Sequence, residues 1–272
     1  MLTQSNVKSG EMRMPMIKAD DGCPIHVEVS GREDAPALML SNSLGTNLHM
    51  WDDQADEFAK HFRLVRYDRR GHGQSGAPQG PYSMERFGRD VLSVLDAVSI
   101  KKTNWCGLSM GGMVGQWLGA NAPDRVEKLI LSNTSAYYPD KTPWNDRIKF
   151  VEANGLGALV DANMQRWFTE GFRASAQEPF ERMKQMFVAT KVPGYVGCCQ
   201  AIMAMDFRTS NASIAAPTLV IVGSKDAATP PAAGEAIQKA IKGAKIASLE
   251  AAHISNVEQP KPYTETVLNF LL

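Results

Sequence analysis

The sequence predicts a large α/β domain with a mainly parallel sheet and helices on both faces. Short apolar runs of strand length alternate with amphipathic runs of helical spacing along most of the 272 residues. That alternation is typical of parallel strands joined by right-handed helical crossovers. The hydrophobic content of 44% is sufficient for one sizeable core. In such sheets, ligands bind at the carboxyl ends of the strands.

The first half of the chain supplies this alternation. Residues 1–15 are polar, so we predict a frayed or partly ordered lead-in there. The runs 16–19 and 25–30 flank the turn signal Asp20-Asp21-Gly22 and predict an antiparallel hairpin at the sheet edge. Further strands are predicted at 37–40, 64–67 and 128–131, with helices at 50–62, 84–98 and 113–122.

The alternation is interrupted once. From 134 to about 211, Trp, Met, Phe and Arg recur with helical spacing, which predicts a helical cap over the strand tips. We therefore expect a core formed by 1–133 and 212–272, with a cap subdomain at 134–211. The alternation resumes with strands at 218–222 and 245–249 and helices at 231–242 and 260–272.

Charge and composition exclude several classes of partner. Lys plus Arg and Asp plus Glu both number 29, so the formal net charge is +0; no basic surface for nucleic acid or an anionic membrane is expected. The partner expected is a small molecule. The four cysteines include no Cys-x-x-Cys pair, and neither a leader nor a spanning apolar run is seen. These observations predict buried thiols in a cytoplasmic protein, and they leave the oligomeric state open.

A glycine-rich turn around Ser109 is the strongest chemical signal. A strand-like run passes through Gly107-Leu108-Ser109-Met110-Gly111 into a long apolar helix. The two glycines remove Cβ atoms that would collide where a strand reverses into a helix, and Ser109 is exposed at a helix N-terminus. The pattern predicts a nucleophilic serine. The alternative is a glycine-rich turn with an incidental serine.

A serine nucleophile requires a base, and His253 is the candidate. It lies in a small-residue loop between the last strand and the last helix. His72 is the rival because it also occupies a strand-end loop, but it precedes Ser109 in the chain. The order nucleophile, acid, histidine is the one used by a large class of α/β enzymes, so we assign a turn-stabilising role to His72. Structural roles are predicted for His26, His49 and His61.

The acid and the oxyanion donors follow from strand ends. Asp226 directly follows the apolar strand 219–222 and is the predicted acid, with an N-cap or turn role as the alternative. Two backbone N–H groups must bind the oxyanion, and we predict those of Met110, after the nucleophile, and Leu44, in the loop after an early strand. No metal site or cofactor is expected, since no two histidines have ligand spacing.

These residues resemble those of the α/β-hydrolase superfamily and, more narrowly, of the 3-oxoadipate enol-lactonases of bacterial aromatic degradation. The superfamily features are Gly107 to Gly111, Asp226, His253 and the run 67–75. The narrower resemblance rests on Ser41-Asn42-Ser43-Leu44-Gly45-Thr46, 106–119, Arg166-Trp167-Phe168, Gly194-Tyr195 with Cys198-Cys199, 226–231 and 253–260. The resemblance implies an eight-stranded, mostly parallel α/β-hydrolase fold.

The resemblance also implies an activity and a substrate. Such enzymes open 3-oxoadipate enol-lactone to 3-oxoadipate in the β-ketoadipate pathway, here through an acyl-enzyme on Ser109 and without a cofactor. The substrate is anionic, so a cation should anchor its carboxylate. Arg147 lies one helical turn from Trp144 and resembles the cap pair of this family, with Arg166 and Arg173 as substitutes. The expected apolar pocket wall consists of Trp144, Met164, Trp167, Phe168 and Tyr195, unless these only pack the cap.

Three other functions share this pattern. A broad carboxylesterase or a cofactor-free perhydrolase or haloperoxidase would use the same three catalytic residues and differ in the cap. A carbon–carbon bond hydrolase for ring-cleavage products would need a longer pocket. A binding or receptor protein on the same fold would not need the intact Ser109, Asp226 and His253.

Overall fold

A computed structural model describes residues 12–13 and 16–272, and its centre is a mostly parallel sheet. In chain order the strands are Met12–Arg13 (β1), Ile17–Lys18 (β2), Pro24–Ile25 (β3), Val27–Gly31 (β4), Ala37–Ser41 (β5), Arg63–Tyr67 (β6), Thr103–Leu108 (β7), Val126–Ser132 (β8), Thr218–Gly223 (β9) and Lys245–Leu249 (β10). Seven longer strands form the sheet in the order β4-β6-β5-β7-β8-β9-β10, and the two-residue β1 extends its edge. From β6 to β10 all pairs are parallel, and β4 is antiparallel to β6. The predicted fold class is confirmed.

The predicted hairpin forms, but it is a two-stranded sheet separate from the main one. The predicted run 25–30 divides into β3 and β4, and β4 instead supplies the antiparallel strand near the edge of the main sheet. Ile17 is opposite Ile25 across the β2–β3 pair, and Gly22 in the connecting turn has a φ of +85°. A positive φ is the conformation that glycine adopts without steric cost. The prediction of a frayed lead-in at 1–15 falls outside the described residues, apart from strand β1.

Eleven α-helices surround the sheet in the described part of the chain. They are Asp52–His61 (α1), Met84–Ala97 (α2), Met110–Asn121 (α3), Thr142–Asn154 (α4), Val160–Trp167 (α5), Glu170–Ser175 (α6), Gln177–Ala189 (α7), Val192–Ala204 (α8), Pro231–Ala240 (α9), Ser255–Glu258 (α10) and Pro260–Leu271 (α11). Every residue of β5, β7 and β9 is buried, because helices cover both faces of the sheet. Between residue 16 and the end of the chain, none of the helices has the length and apolar character needed to cross a membrane.

Five helices, α4 to α8, fill the interval between β8 and β9 where the sequence predicts a cap. The two connections that lead into and out of this interval pair with each other. Tyr137 and Asp206 form an antiparallel bridge, and the Phe207 N–H donates to the carbonyl of Ala136 over 2.9 Å. The helical interval therefore begins and ends at nearly the same place above the sheet.

Helix α8 touches the loop after β6 through two glycines. A Cβ added to Gly194 would lie 2.2 Å from the Gly71 Cα, and one added to Gly71 would lie 2.5 Å from the Gly194 Cα. Gly71 also has a φ of +82°. The two backbones are in direct contact, so neither position has room for a side chain.

We expect Gly194→Ala to destabilise the protein. Replacing glycine by alanine within a helix normally raises the free energy of unfolding by about 1 kcal/mol. Overpacking against Gly71 should lower it by more, about 1–3 kcal/mol. Thermal and urea unfolding measure the change. The matched control is Gly171→Ala in α6, where no atom lies within 4 Å of an added Cβ; it should be neutral or stabilising. Equal stability of Gly194→Ala and the wild type would contradict the close contact.

Candidate active site

Ser109 occupies the sharp turn between β7 and α3. Its φ of 57° and ψ of −115° lie outside the usual regions for a residue with a side chain. A Cβ at Gly107 would be 2.2 Å from the Gly111 carbonyl oxygen, and one at Gly111 would be 2.1 Å from that of Ser41. Both flanking positions therefore require glycine, which is the physical reason for the Gly-x-Ser-x-Gly pattern.

The structure brings the three predicted triad side chains into one chain of hydrogen bonds. His253 Nε2 lies 2.9 Å from Ser109 Oγ, and His253 Nδ1 lies 2.9 Å from Asp226 Oδ2. Ser109 comes from the end of β7, Asp226 from the loop after β9 and His253 from the loop after β10. Parallel strands place these three loops at the same edge of the sheet. An Asp-oriented imidazole in this position can accept the serine proton.

Asp226 is buried, and both of its carboxylate oxygens accept hydrogen bonds. Its Oδ1 accepts the N–H groups of Ala228 (2.8 Å) and Thr229 (2.9 Å), and its Oδ2 accepts the Thr229 hydroxyl (2.7 Å) and Asn133 Nδ2 (3.0 Å). Burial by itself would raise the pKa of the Asp226 carboxyl, but the charge and hydrogen bond of His253 and the bonds from Thr229 lower it to about 2. Asp226 is therefore ionised at neutral pH. Asp226 thus both stabilises its own turn, through the N–H groups it accepts, and contacts His253.

Sequence reasoning missed Asn133. This residue follows β8, has a φ of 46°, and donates from Nδ2 both to Asp226 and to the Ala252 carbonyl oxygen. Its Oδ1 accepts the hydroxyl of Ser255 at 2.6 Å. Asn133 thus ties the acid loop to the histidine loop. Its position directly after a parallel strand was the available signal.

The two predicted oxyanion donors have free N–H groups. Among the described residues, neither the Leu44 nor the Met110 amide has a hydrogen-bond acceptor, whereas the Gly111 amide donates to the Asn42 carbonyl at 3.0 Å. Met110 is the first residue of α3, where an N–H has no partner within the helix. Leu44 lines the same cavity as Ser109. The assignment of both as oxyanion donors remains a prediction.

A cavity of about 200 Å³ lies above Ser109 and His253. This volume is below the range of typical drug-sized pockets, so the cavity fits a small substrate. Leu44 and the four predicted substrate-binding residues, Trp144, Arg147, Trp167 and Tyr195, all line it. Residues that sequence reasoning did not place there are Ser43, Met113, Tyr138, Asp140, Pro143, Asn163, Ile202, Ala228 and Thr229.

Two predicted wall residues lie outside the cavity. Met164 and Phe168 are each only 1% exposed, and Phe168 stacks on Phe172 with a centroid distance of 4.8 Å. Helix α5 presents Asn163, Arg166 and Trp167 to the cavity instead. Helical spacing identified the apolar residues of this segment but could not distinguish the packed face from the pocket face. Arg173, a substitute anchor, does not line the cavity either.

The other histidines have structural partners. His26 Nδ1 lies 2.9 Å from Asp68, His49 contacts Asp52, and His61 lies 3.6 Å from Glu57. His72 is buried away from the cavity lining, and its Nε2 accepts the Gly45 N–H at 2.9 Å. None of the four borders the cavity, so His253 is the histidine within reach of Ser109.

Within 16–272, one group of carboxylates has spacing that would suit a metal ion: Asp20, Asp21 and Asp90. Arg70 contacts Asp90 at 2.5 Å and Asp21 at 2.9 Å, and Arg86 pairs with Asp20. Guanidinium groups thus already supply the positive charge, and none of these carboxylates lines the cavity. We interpret the group as an ion-pair network.

The fold and this site together define the class of protein. A mostly parallel sheet with a serine at a strand-to-helix turn, followed in the chain by an aspartate and a histidine at later strand ends, is the arrangement of α/β-hydrolases. The chain is accordingly a hydrolase of the α/β type.

Comparison with known proteins identifies the family. The family model described as alpha/beta hydrolase fold matches residues 36–260, and the chain belongs to that family. It is 39% identical to 3-oxoadipate enol-lactonase 2 of Acinetobacter baylyi over 87% of this chain and 89% of that one. It is 37% identical to 3-oxoadipate enol-lactonase 1 of the same organism over 96% and 98%.

A solved structure agrees with the curated relatives. The crystal structure of the enol-lactonase from Burkholderia xenovorans LB400 aligns with a TM-score of 0.93 and 41% identity, covering 94% of this chain and 99% of that chain. The resemblance to the 3-oxoadipate enol-lactonases that the sequence predicts is confirmed.

Proposed function

We propose that this protein is a serine hydrolase that opens the ring of 3-oxoadipate enol-lactone to give 3-oxoadipate. The observation that carries the proposal is the hydrogen-bonded Ser109–His253–Asp226 chain beneath a small cavity with guanidinium groups in its wall. The similarity to enol-lactonases over most of the chain supports the choice of substrate. The place in the reaction sequence is the β-ketoadipate pathway of aromatic degradation.

The proposed reaction uses each group of the site in turn. Ser109 Oγ attacks the lactone carbonyl carbon while His253 Nε2 takes the hydroxyl proton, and the Leu44 and Met110 N–H groups bind the oxyanion. The bond to the ring oxygen breaks, and this oxygen leaves as an enol that takes the proton from His253 Nε2 and then tautomerises to a ketone, so His253 is again a neutral base. Water, activated by His253, then releases the carboxylate from Ser109. Because an enolate leaves more readily than an alkoxide, we expect deacylation to limit the rate.

Arg147 is the proposed anchor for the substrate carboxylate. Its Nη1 donates to the Tyr195 hydroxyl at 2.8 Å and to Asn163 Oδ1 at 3.2 Å, and the guanidinium lies 5.6 Å from the Trp144 ring centroid. These contacts hold the cation in one orientation. Burial disfavours its charge, but Tyr195 and other neighbours raise the Arg147 pKa above its usual value.

Arg166 lines the same cavity and adds a second positive charge. Burial and the charge of Arg147 lower the Arg166 pKa. Within the part of the chain described, neither guanidinium forms an ion pair with a carboxylate. An anionic ligand between them would relieve this repulsion, which supports an anionic substrate over a neutral one.

We expect Arg147→Ala to lower kcat/KM for the anionic lactone about 10- to 100-fold, the loss typical of a charge-assisted hydrogen bond. Hydrolysis of a neutral aryl acetate should change much less. Lys149→Ala, an exposed substitution in the same helix, is the control. Equal losses on the lactone and the acetate would contradict the anchor, and a larger loss in Arg166→Ala would move the role to Arg166.

The proposed function itself is tested by the ultraviolet decay of enzymatically generated lactone, measured beside the hydrolysis of a neutral aryl acetate. A kcat/KM strongly in favour of the lactone supports the enol-lactonase. Rapid acetate hydrolysis with slow lactone opening would indicate the alternative, a broad carboxylesterase or perhydrolase with the same three residues. Both outcomes would leave Ser109 as the nucleophile.

Two further parts of the proposal concern the cap and the compartment. We propose that α4 to α8 form a cap that determines specificity, since α4, α5 and α8 supply Arg147, Asn163 and Tyr195 to the cavity. All four cysteines are free and buried, which supports the predicted cytoplasmic location. Fractionation of cells that express the protein tests the compartment.

A further inference from the structure

The loop 68–76, which follows β6, packs against the loop 42–46 that carries Leu44. His72 in the first loop is completely buried, and its imidazole makes two hydrogen bonds. Its Nε2 accepts the Gly45 N–H at 2.9 Å, and its Nδ1 lies 3.4 Å from the Arg70 carbonyl oxygen. The second contact assigns the imidazole proton to Nδ1, because a carbonyl oxygen can only accept.

Arg69 in the same loop holds the other end of 42–46. Its side chain is 1% exposed, and Nη2 donates to the Asn42 carbonyl oxygen at 2.6 Å. The same oxygen accepts the Gly111 N–H from the start of α3 at 3.0 Å. Arg69 therefore acts on a carbonyl group that connects the Leu44 loop directly to the turn containing Ser109.

The remaining amides of the loop are also occupied. The Ser43 N–H donates to Met50 Sδ at 3.3 Å, and the Thr46 N–H donates to the Ser43 carbonyl at 3.4 Å. Together with Gly45 and His72, these bonds leave Leu44 as the residue of 43–46 whose N–H has no acceptor in the described structure. The free amide is thus flanked on both sides by peptide groups that are held in place.

We propose that His72 and Arg69 are positioning residues that orient the Leu44 N–H toward the oxyanion formed on Ser109. This inference rests on the proposed function, since it concerns the same hydrolytic site. His72 acts through Gly45 and Arg69 through Asn42; neither touches the substrate. An oxyanion donor that is already oriented requires no reorganisation in the transition state, which is the source of its catalytic effect.

The state of His72 suits this role. Burial and the positive charge of Arg69 lower the His72 pKa to about 3. The imidazole is therefore neutral at working pH, and its Nε2 lone pair remains available to the Gly45 N–H. A lysine or a protonated histidine could not accept this bond.

The test compares His72→Leu, which removes the acceptor, with His72→Gln, whose amide oxygen can take the place of Nε2. We measure kcat and KM for a neutral aryl acetate, inhibition by phenylboronic acid, which forms a tetrahedral adduct on the serine, and inhibition by adipate, which does not. In His72→Leu, we expect kcat to fall about 10- to 100-fold, somewhat less than the loss of a whole oxyanion donor. The inhibition constant of phenylboronic acid should rise by a similar factor, whereas KM and adipate inhibition should change little. His72→Gln should recover most of the loss.

The matched control is His26→Gln. His26 is a second buried histidine tied to the same loop, through Asp68, and its loss should reduce stability without lowering kcat. Arg69→Met removes the contact at the other end of 42–46 and should show the same pattern as His72→Leu, so it serves if His72→Leu does not fold.

The outcomes separate this inference from the proposed function. Wild-type kcat and phenylboronic acid affinity in folded His72→Leu or Arg69→Met would overturn the positioning role. Equal weakening of adipate and phenylboronic acid binding, or a matching loss of kcat in His26→Gln, would also overturn it, because the effect would then be general. A wild-type protein that hydrolyses neither lactone nor acetate would overturn the proposed function as well.

Discussion

Ser109→Ala is expected to lower kcat for the lactone and for an aryl acetate by about six orders of magnitude, the size of the effect when the serine nucleophile of such a triad is removed. The turn geometry does not depend on the hydroxyl, since Ser109 is fixed through its backbone: its N–H donates to the Ser132 carbonyl at 2.8 Å and its carbonyl accepts the Thr134 hydroxyl at 2.7 Å. Stability should therefore change little. Stopped-flow measurement should also show that the acyl-enzyme burst is lost.

The matched control is Ser248→Ala, an exposed serine of β10, which should retain full activity. If Ser109→Ala kept kcat within tenfold of the wild type, then the hydrolysis would not pass through an acyl-enzyme on this serine. Alanine changes the strain of the positive φ only weakly. A large change in the unfolding midpoint would therefore indicate a structural role for the hydroxyl that the contacts do not show.

Asp226→Asn is expected to reduce kcat by about 10⁴-fold, the size of the effect when the acid of such a triad becomes an amide. The carboxylate accepts from His253 Nδ1 and from four other donors, two of them backbone N–H groups. An amide has only one oxygen, so its NH₂ group must face some of these donors. The imidazole then loses its orientation and its tautomer.

The pKa of Asp226 adds a check on pH. Since it is lowered to about 2, the carboxylate is ionised from about pH 4 upward, and its folded-state advantage is lost only as pH falls from about 4 to 2. Asp206→Asn is the control. Asp206 also has a pKa of about 2, owing to Arg208, but it is exposed and takes no part in the proposed reaction. An active Asp226→Asn variant with normal stability would exclude Asp226 as the orienting acid.

Much of this architecture could be predicted because it depends on local pattern. Strand and helix positions follow the spacing of apolar residues, and the structure places β6 at Arg63–Tyr67 and β9 at Thr218–Gly223, within a residue or so of the predicted runs. The glycines at 107 and 111 predict the turn at Ser109. Asp226 and His253 follow parallel strands, which must end at the same edge of the sheet. Chain order and strand polarity were therefore sufficient to predict that these three side chains lie close together.

Contacts between distant loops could not be predicted in this way. Nothing local to Asn133 shows that its amide joins the Asp226 loop to the Ser255 hydroxyl. The same holds for His72, which the sequence suggests as a turn residue but whose partner, Gly45, lies 27 positions earlier in the chain. In α5, some residues pack against α7 and others line the cavity. Helical periodicity alone does not indicate which residues belong to each face.

The contact between Gly71 and Gly194 has a consequence for protein engineering. Specificity in this family could be altered by grafting the helices of one relative onto the sheet of another. Such a chimaera needs glycine at both contact positions, since a Cβ on either would meet the opposite backbone at 2.5 Å or less. Helices α4 and α5 contain no glycine, so libraries that diversify them and keep α8 should yield more folded variants.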